Sequence, residues 1–180
     1  MSDATGARFL ARSRYYLAEE YPAKIRAALG ALPADRLWWR PHEGCNSAGN
    51  LVLHLAGNVR QWVVAGIGGA PDVRTRDAEF AATGGPDTEA LLAHLQRAVD
   101  DADAVLAALE PAALSEVRRI QGRETSVLSA LYHVVEHFGG HTGQLILLAK
   151  LHAPGAIRFY DDAGGLARPT FLPEGRSDIA

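Results

Sequence analysis

His133, His137 and His141 recur every four residues. Successive members advance about 40° around an α-helix, so the three imidazoles share one face. Leu128, Leu131, Val134, Phe138 and Leu145 surround them, which marks that face as the buried one. Several imidazoles on an apolar stripe are costly to bury unless each finds a partner, and one metal ion satisfies them together. A further histidine, His54, sits among leucines in Asn50-Leu51-Val52-Leu53-His54-Leu55-Ala56-Gly57-Asn58. In a helical bundle, a histidine of one helix can meet an i, i+4 pair of another and complete an N3 set. The remaining coordination positions then fall to water or substrate, as in a catalytic rather than a structural site. Neutral imidazoles suit zinc, nickel, copper or ferrous iron and poorly suit magnesium or calcium. A lone buried histidine is more often a hydrogen-bonded core residue, and an isolated HxxxH pair often arises by chance. A third histidine on the same face and a fourth on another core helix favour the metal.

Other residues support the site or stand apart from it. Asn58 lies one turn after His54 and should face the same pocket. Gln144 either holds a carbonyl or a histidine in place or lies at the surface. Gly139, Gly140 and Gly143 are poor helix formers that permit close helix approach or leave room beside an ion. Glu136 points about 100° away from His137 and should be solvated. The residue after His137 is Phe138, so no HExxH is present and the general base of the zinc peptidases is missing. Trp38, Trp39 and Trp62 are expected in the core and pocket wall, with substrate stacking the lesser alternative, and Cys45 as an ordinary buried or partly buried thiol, with metal ligation the lesser alternative. Glu79, Asp161 and Asp162 fall in predicted loops that could fold over the site, although such carboxylates more often lie at the surface.

Helical periodicity organises the chain that must position these groups. A first helix is predicted from about Ala4 to Ala31, kinked or split at Pro22. The stretch Leu32 to Pro41 connects. A second helix, capped by Asn46 or Ser47, runs to about Ile67 and stops in a Gly/Pro-rich segment. Pro71 to Pro86 reads as a long loop. Asp87 caps a third helix to about Leu109, closed by Pro111, and Thr125 or Ser126 starts a fourth that reaches about Leu151. From Ala153 the tail carries two glycine-rich turns and should drape over the bundle or fray. Strand signals are nearly absent. The expectation is an all-α four-helix bundle in one domain, 1–180, with its core at about 5–152 and a tail at 153–180. The long connection between the second and third helices suggests a crossover.

Composition narrows the function classes. The chain has 180 residues, 48% hydrophobic and 22% charged, the balance of an ordinary globular protein. Its net charge is −3 and its cations form no stripe, which argues against nucleic-acid partners. No run of 18 apolar residues exists, so no membrane span is expected, and the N-terminus lacks the pattern of a secretory signal. Cys45 is the only cysteine, which leaves no intrachain disulfide or CxxC site and fits a cytoplasmic setting.

The segment His137-Phe138-Gly139-Gly140-His141-Thr142-Gly143-Gln144 resembles the HxxxH-x-GQ element of the DinB/YfiT-like superfamily. Trp39-Arg40-Pro41, followed by Asn46-Ser47 and then His54, resembles its other half. The likeness covers about residues 5–152. The form of residues 46–55, with Arg76-Asp77-Ala78-Glu79-Phe80, looks like a subgroup without assigned function. The resemblance implies that His54, His137 and His141 hold one divalent metal ion: zinc, nickel or iron. It leaves His133 as a neighbour, either a hydrogen-bond partner of a ligand or an alternative ligand. Thr142 stands where arginine is common and Phe138 where glutamate is common, which alters the surroundings of the ligands but not the ligands. The resemblance further implies a homodimer and a choice of chemistry. The first expectation is transfer of a low-molecular-weight thiol to an electrophile, with no catalytic residue assigned beyond the metal site. The alternatives are metal-dependent hydrolysis of a small substrate and a non-catalytic, metal-stabilised, stress-related binding module.

Overall fold

A computed structural model describes residues 3–163, 165 and 167–171. Helix α1 spans 3–31 as Asp3–Arg14, a π segment Tyr15–Glu20, and Tyr21–Ala31. Pro22 does not split it. The Tyr21 N–H donates to Tyr16 O, one residue farther back than in an α-helix, so the wide turn falls just ahead of the proline. Pro22 then occupies the opening of the next α segment, where its missing donor costs least.

Helix α2 spans 48–67 as Ala48–Val59 and a second π segment, Arg60–Ile67. Ser47, not Asn46, caps it, and the capping is reciprocal. The Asn50 N–H donates to Ser47 Oγ at 3.2 Å, and the Ser47 N–H donates to Asn50 Oδ1 at 3.0 Å. The predicted long loop after α2 contains a short helix, α3, Arg76–Ala81. Helix α4 is Thr88–Ala107, with Asp87 Oδ1 accepting from the Ala90 N–H, and Pro111 opens a 3-10 turn beyond it. Helix α5, Val127–His152, is capped by Ser126.

The all-α reading holds, with two short strand pairs added to it. Val117–Ile120 (β1) and Arg123–Ser126 (β2) form an antiparallel hairpin in which Ile120 pairs with Arg123. Gln121 and Gly122 turn it with φ of 50° and 75°, the left-handed pair of a type I′ turn. Ile120 is its one buried strand residue, so the hairpin leaves little apolar pattern in the sequence. In the tail, Tyr160–Asp161 (β3) pairs with Arg168–Pro169 (β4). The Lys24 ammonium of α1 lies 4.5 Å from the Phe171 ring centre, so the described part of the tail drapes over α1. Residues 172–180 of the expected tail lie outside the described residues.

Leu17, Ile25 and Leu29 of α1 join Leu51, Leu55 and Val59 of α2, Leu91, Leu95 and Val99 of α4, and Leu131, Val134, Phe138 and Leu145 of α5 in a single buried cluster. Helix α2 packs on α4 and α5, and α1 packs on the same two, whereas α1 against α2 and α4 against α5 are not principal neighbours. The long connection therefore joins adjacent helices. The diagonal crossings are made by the segments 32–47 and 108–126, contrary to the position expected from loop length. This arrangement sets the buried face of α2, with His54, directly against that of α5, with the other three histidines.

Candidate metal centre

His54 enters the core from α2 and is 4% exposed. His137 and His141, half-buried on α5, meet it: one nitrogen of each of the three lies within 4.8 Å of the others. The Nε2 atoms of His54 and His137 are 2.9 Å apart, so one ring donates its proton to the other. An ion holding imidazoles at about 2.1 Å would separate them by about 3–3.4 Å, so only small adjustments bring the pair to ligand geometry. His141 donates from Nδ1 to Gln144 Oε1 at 2.8 Å, which leaves its Nε2 free. The donor set thus fits one divalent ion: three imidazole nitrogens converging from two helices.

Electrostatics favours the neutral rings. Burial, assisted by the neighbouring His141, His54, His133 and Arg74, pushes the His137 imidazole down to about 3 from 6.5. Burial also lowers His141, outweighing the opposing hydrogen bond to Gln144. Neutral imidazole is the form that ligates, so these rings surrender no proton at neutral pH when an ion binds.

Behind His54 lies the main departure from the sequence reading. Of the three loop carboxylates that could fold over the site, Glu79 does so: its side chain is only 11% exposed, and its Oε2 accepts from His54 Nδ1 at 2.9 Å. Arg74, 4% exposed, donates from Nε and Nη2 to the two Glu79 oxygens at 2.7 and 2.8 Å. Burial alone would raise the Glu79 carboxyl, but the hydrogen bonds and charge of Arg74 and His54 hold it below its usual value. A carboxylate on the far nitrogen of a metal-ligating histidine is the common outer partner of such ligands. Helix α3 is tied down by residues of the second motif half. Asn50 Nδ2 donates to Glu79 O and Ala82 O, both at 2.8 Å, while Arg40 Nη2 donates to Phe80 O and Ala82 O. Sequence reasoning missed Arg74 altogether, because a pair that buries itself from an irregular connection leaves no periodicity. The signal present was Asn50 on the buried face of α2 with no partner of its own helix for its amide nitrogen.

The remaining candidates sort plainly. His133 is half-buried, its ring 4.3 Å from that of Trp62 and 5.3 Å from that of His137, outside the three-nitrogen group. Asn58 shares the buried face, 3% exposed, with its Oδ1 unpartnered. Gln144 is exposed yet holds His141. Of the three glycines of α5, only Gly139 is needed for close approach: a Cβ there would lie 2.9 Å from the Tyr21 hydroxyl, while Gly140 and Gly143 face open space. Trp38 packs over Gly49 and Trp39 sets its edge on His152. Cys45 is partly buried, its Sγ 3.0 Å from His42 Nε2. Glu136 is exposed, as are Asp161 and Asp162. A cavity of about 380 Å³ under the 70–75 segment has Arg74 and Glu79 in its wall. Those residues contact the Nδ1 edge of His54, so the cavity lies behind the ligand set and not on the side the three nitrogens face.

Comparisons with known proteins agree with this architecture. The sequence profile of the DinB superfamily matches residues 17–145. Among solved structures, the crystal structure of a DinB-like protein of Bacillus subtilis, YjoA, superposes with a TM-score of 0.62 at 17% identity, covering 83% of this chain and 96% of that one. At that identity the likeness is one of fold. No curated protein matches the chain.

Proposed function

The chain belongs to the DinB superfamily, and from that premise we propose that it is a metal-dependent transferase acting with a low-molecular-weight thiol. His54, His137 and His141 would hold the ion, with zinc, nickel or ferrous iron as the ions best suited to three neutral imidazoles. When bound, such an ion supplies Lewis acidity that brings the pKa of a thiol in an open coordination position towards neutrality and orients its sulfur. The observation that carries the choice of thiol over water is the state of Glu79. Among the described residues it is the carboxylate bonded to the cluster, and both its oxygens are committed to His54 and Arg74. Glu79 is thus not free to act as a general base in the proton transfers that follow attack by hydroxide, whereas a thiolate attacks an electrophile with its proton already lost to solvent. Gln144 and Glu79 hold the rings of His141 and His54, and Arg74 neutralises Glu79. The α2–α5 core walls keep water from the buried side of the set.

Tyr132, Leu147 and Leu151 of α5 are 58–64% exposed, and pairing of two copies would cover such apolar surface. A homodimer in the cytoplasm is accordingly part of the proposal, and light scattering reads its mass. The test of activity uses cobalt-loaded protein titrated with bacillithiol, mycothiol and glutathione. A sulfur-to-cobalt charge-transfer band, together with faster conjugation of the same thiol to an electrophile, supports thiol transfer. Turnover of esters or amides without that band would replace it with hydrolysis, and neither activity would leave a metal-stabilised binding module.

A further inference from the structure

His54 Nδ1 has two neighbours of opposite character. Glu79 Oε2, 2.9 Å away, can only accept a proton from it, while Arg74 Nη2, 3.0 Å away, can only donate one. The two contacts demand different tautomers. If Glu79 wins, Nδ1 carries the proton and the Nε2 lone pair faces His137 and His141. If Arg74 wins, the proton moves to Nε2 and occupies the position a ligand lone pair requires. Arg74 Nη2 is 2.8 Å from Glu79 Oε2, and Arg74 Nε is 2.7 Å from Oε1, so the ion pair itself holds the guanidinium while Glu79 takes the Nδ1 proton. This outcome needs the pair to lie flat on α2, where Gly57 is one turn from His54. A Cβ on Gly57 would fall on Glu79 Oε1, with Glu79 Cδ at 2.9 Å and Arg74 Nε at 3.0 Å. No side chain fits there without moving the carboxylate.

We infer that Gly57, Arg74 and Glu79 form a positioning set that fixes His54 as its Nδ1–H tautomer and so presents Nε2 for ligation. The bare backbone at Gly57 admits the ion pair, the Asn50 and Arg40 hydrogen bonds anchor the helix that carries Glu79, and Glu79 selects the tautomer. The inference builds on the metal reading, but the tautomer exists with or without an ion, which separates the two in experiment.

The test uses full-length protein, wild type and the variants Gly57→Ala, Glu79→Leu and Gly30→Ala. Gly30 is a helical glycine with no neighbour within 4 Å of a built Cβ, so its substitution controls for a helical Gly→Ala change as such. Long-range proton–nitrogen NMR of the imidazoles, on metal-free protein at pH 8, reads the tautomer. Cobalt(II) titration, followed by its visible absorption, reads affinity. The expected result is Nδ1–H for His54 in wild type and Gly30→Ala, and Nε2–H or a mixture in the other two. Cobalt affinity should fall about 10–100-fold in those two, the usual cost of losing an outer partner. Retention of Nδ1–H and of wild-type affinity in Gly57→Ala or Glu79→Leu would overturn the inference. Loss of the tautomer in both variants, in a protein that binds no cobalt even as wild type, would uphold the positioning set and sink the metal reading. Glu79→Leu removes both acceptor oxygens and adds no bulk at the Gly57 backbone, so it answers the question even if the Gly57→Ala protein does not fold.

Discussion

At the scale of single residues, the histidines were legible because their spacing and their apolar surroundings conflict unless something holds them together. His133, His137 and His141 satisfy the spacing equally, and only the placement of α2 separates His133, beside Trp62, from the pair that meets His54. Glu79 was legible only as one of three loop carboxylates that could reach the site, and Arg74 not at all, because their burial comes from tertiary contacts of the connecting segment. The neutral rings have a consequence for stability. The folded-state His137 sits at about 3 against an ordinary 6.5, so between those values the unfolded chain takes up a proton that the native chain refuses. His133, His94 and His141 are lowered in the same direction, each chiefly by burial. Stability of the metal-free protein should therefore be greatest above pH 6.5 and fall as pH drops below it, before carboxylates titrate. Urea midpoints at pH 7.5 and pH 5 check this: the midpoint should be lower at pH 5, and the His137→Phe variant should show a smaller drop. Equal wild-type midpoints would contradict the account of the buried rings.

At the scale of elements, periodicity and capping located the four long helices to within a few residues, since each has an apolar stripe and three begin at a hydroxyl or carboxylate cap. What failed were the elements with little stripe to show: the two short hairpins and α3, which is held by Asn50 and Arg40 rather than by its own apolar face. Of the kink or split expected at Pro22, the split is absent, and the π turn of Tyr15–Glu20 rearranges the hydrogen-bond ladder just ahead of the proline. Ser47 shows how an element's start reaches the site. It is wholly buried, caps α2, and donates from Oγ to Asn50 Oδ1 at 2.7 Å, orienting the same amide that holds α3. Ser47→Ala should cost about 1–2 kcal/mol of stability by loss of the cap. Chemical denaturation measures it, and a change within about 0.3 kcal/mol would show that the reciprocal cap does not stabilise the helix.

At the scale of the molecule, the crossings at 32–47 and 108–126 make α2 and α5 neighbours, and that adjacency brings His54 within reach of residues more than eighty positions away in the chain. Chain length and loop length alone pointed to the wrong crossover, because a long connection can also be filled by a helix that covers a site. No described helix is long and apolar enough to cross a membrane. A site built from two helices ties ion binding to the whole fold: an ion at about a thousand times its dissociation constant adds about 4 kcal/mol to stability. Zinc should accordingly raise the melting temperature of the wild type and leave that of His137→Ala nearly unmoved, as differential scanning fluorimetry would read. The most direct test of the central claim is metal content by mass spectrometry on untagged protein, for the wild type and for His54→Ala, His137→Ala and His141→Ala. About one ion per wild-type chain is expected, lost in each of these variants and retained in His133→Ala. A wild type that stays metal-free after reloading with zinc or nickel, or variants that keep their ion, would contradict that claim.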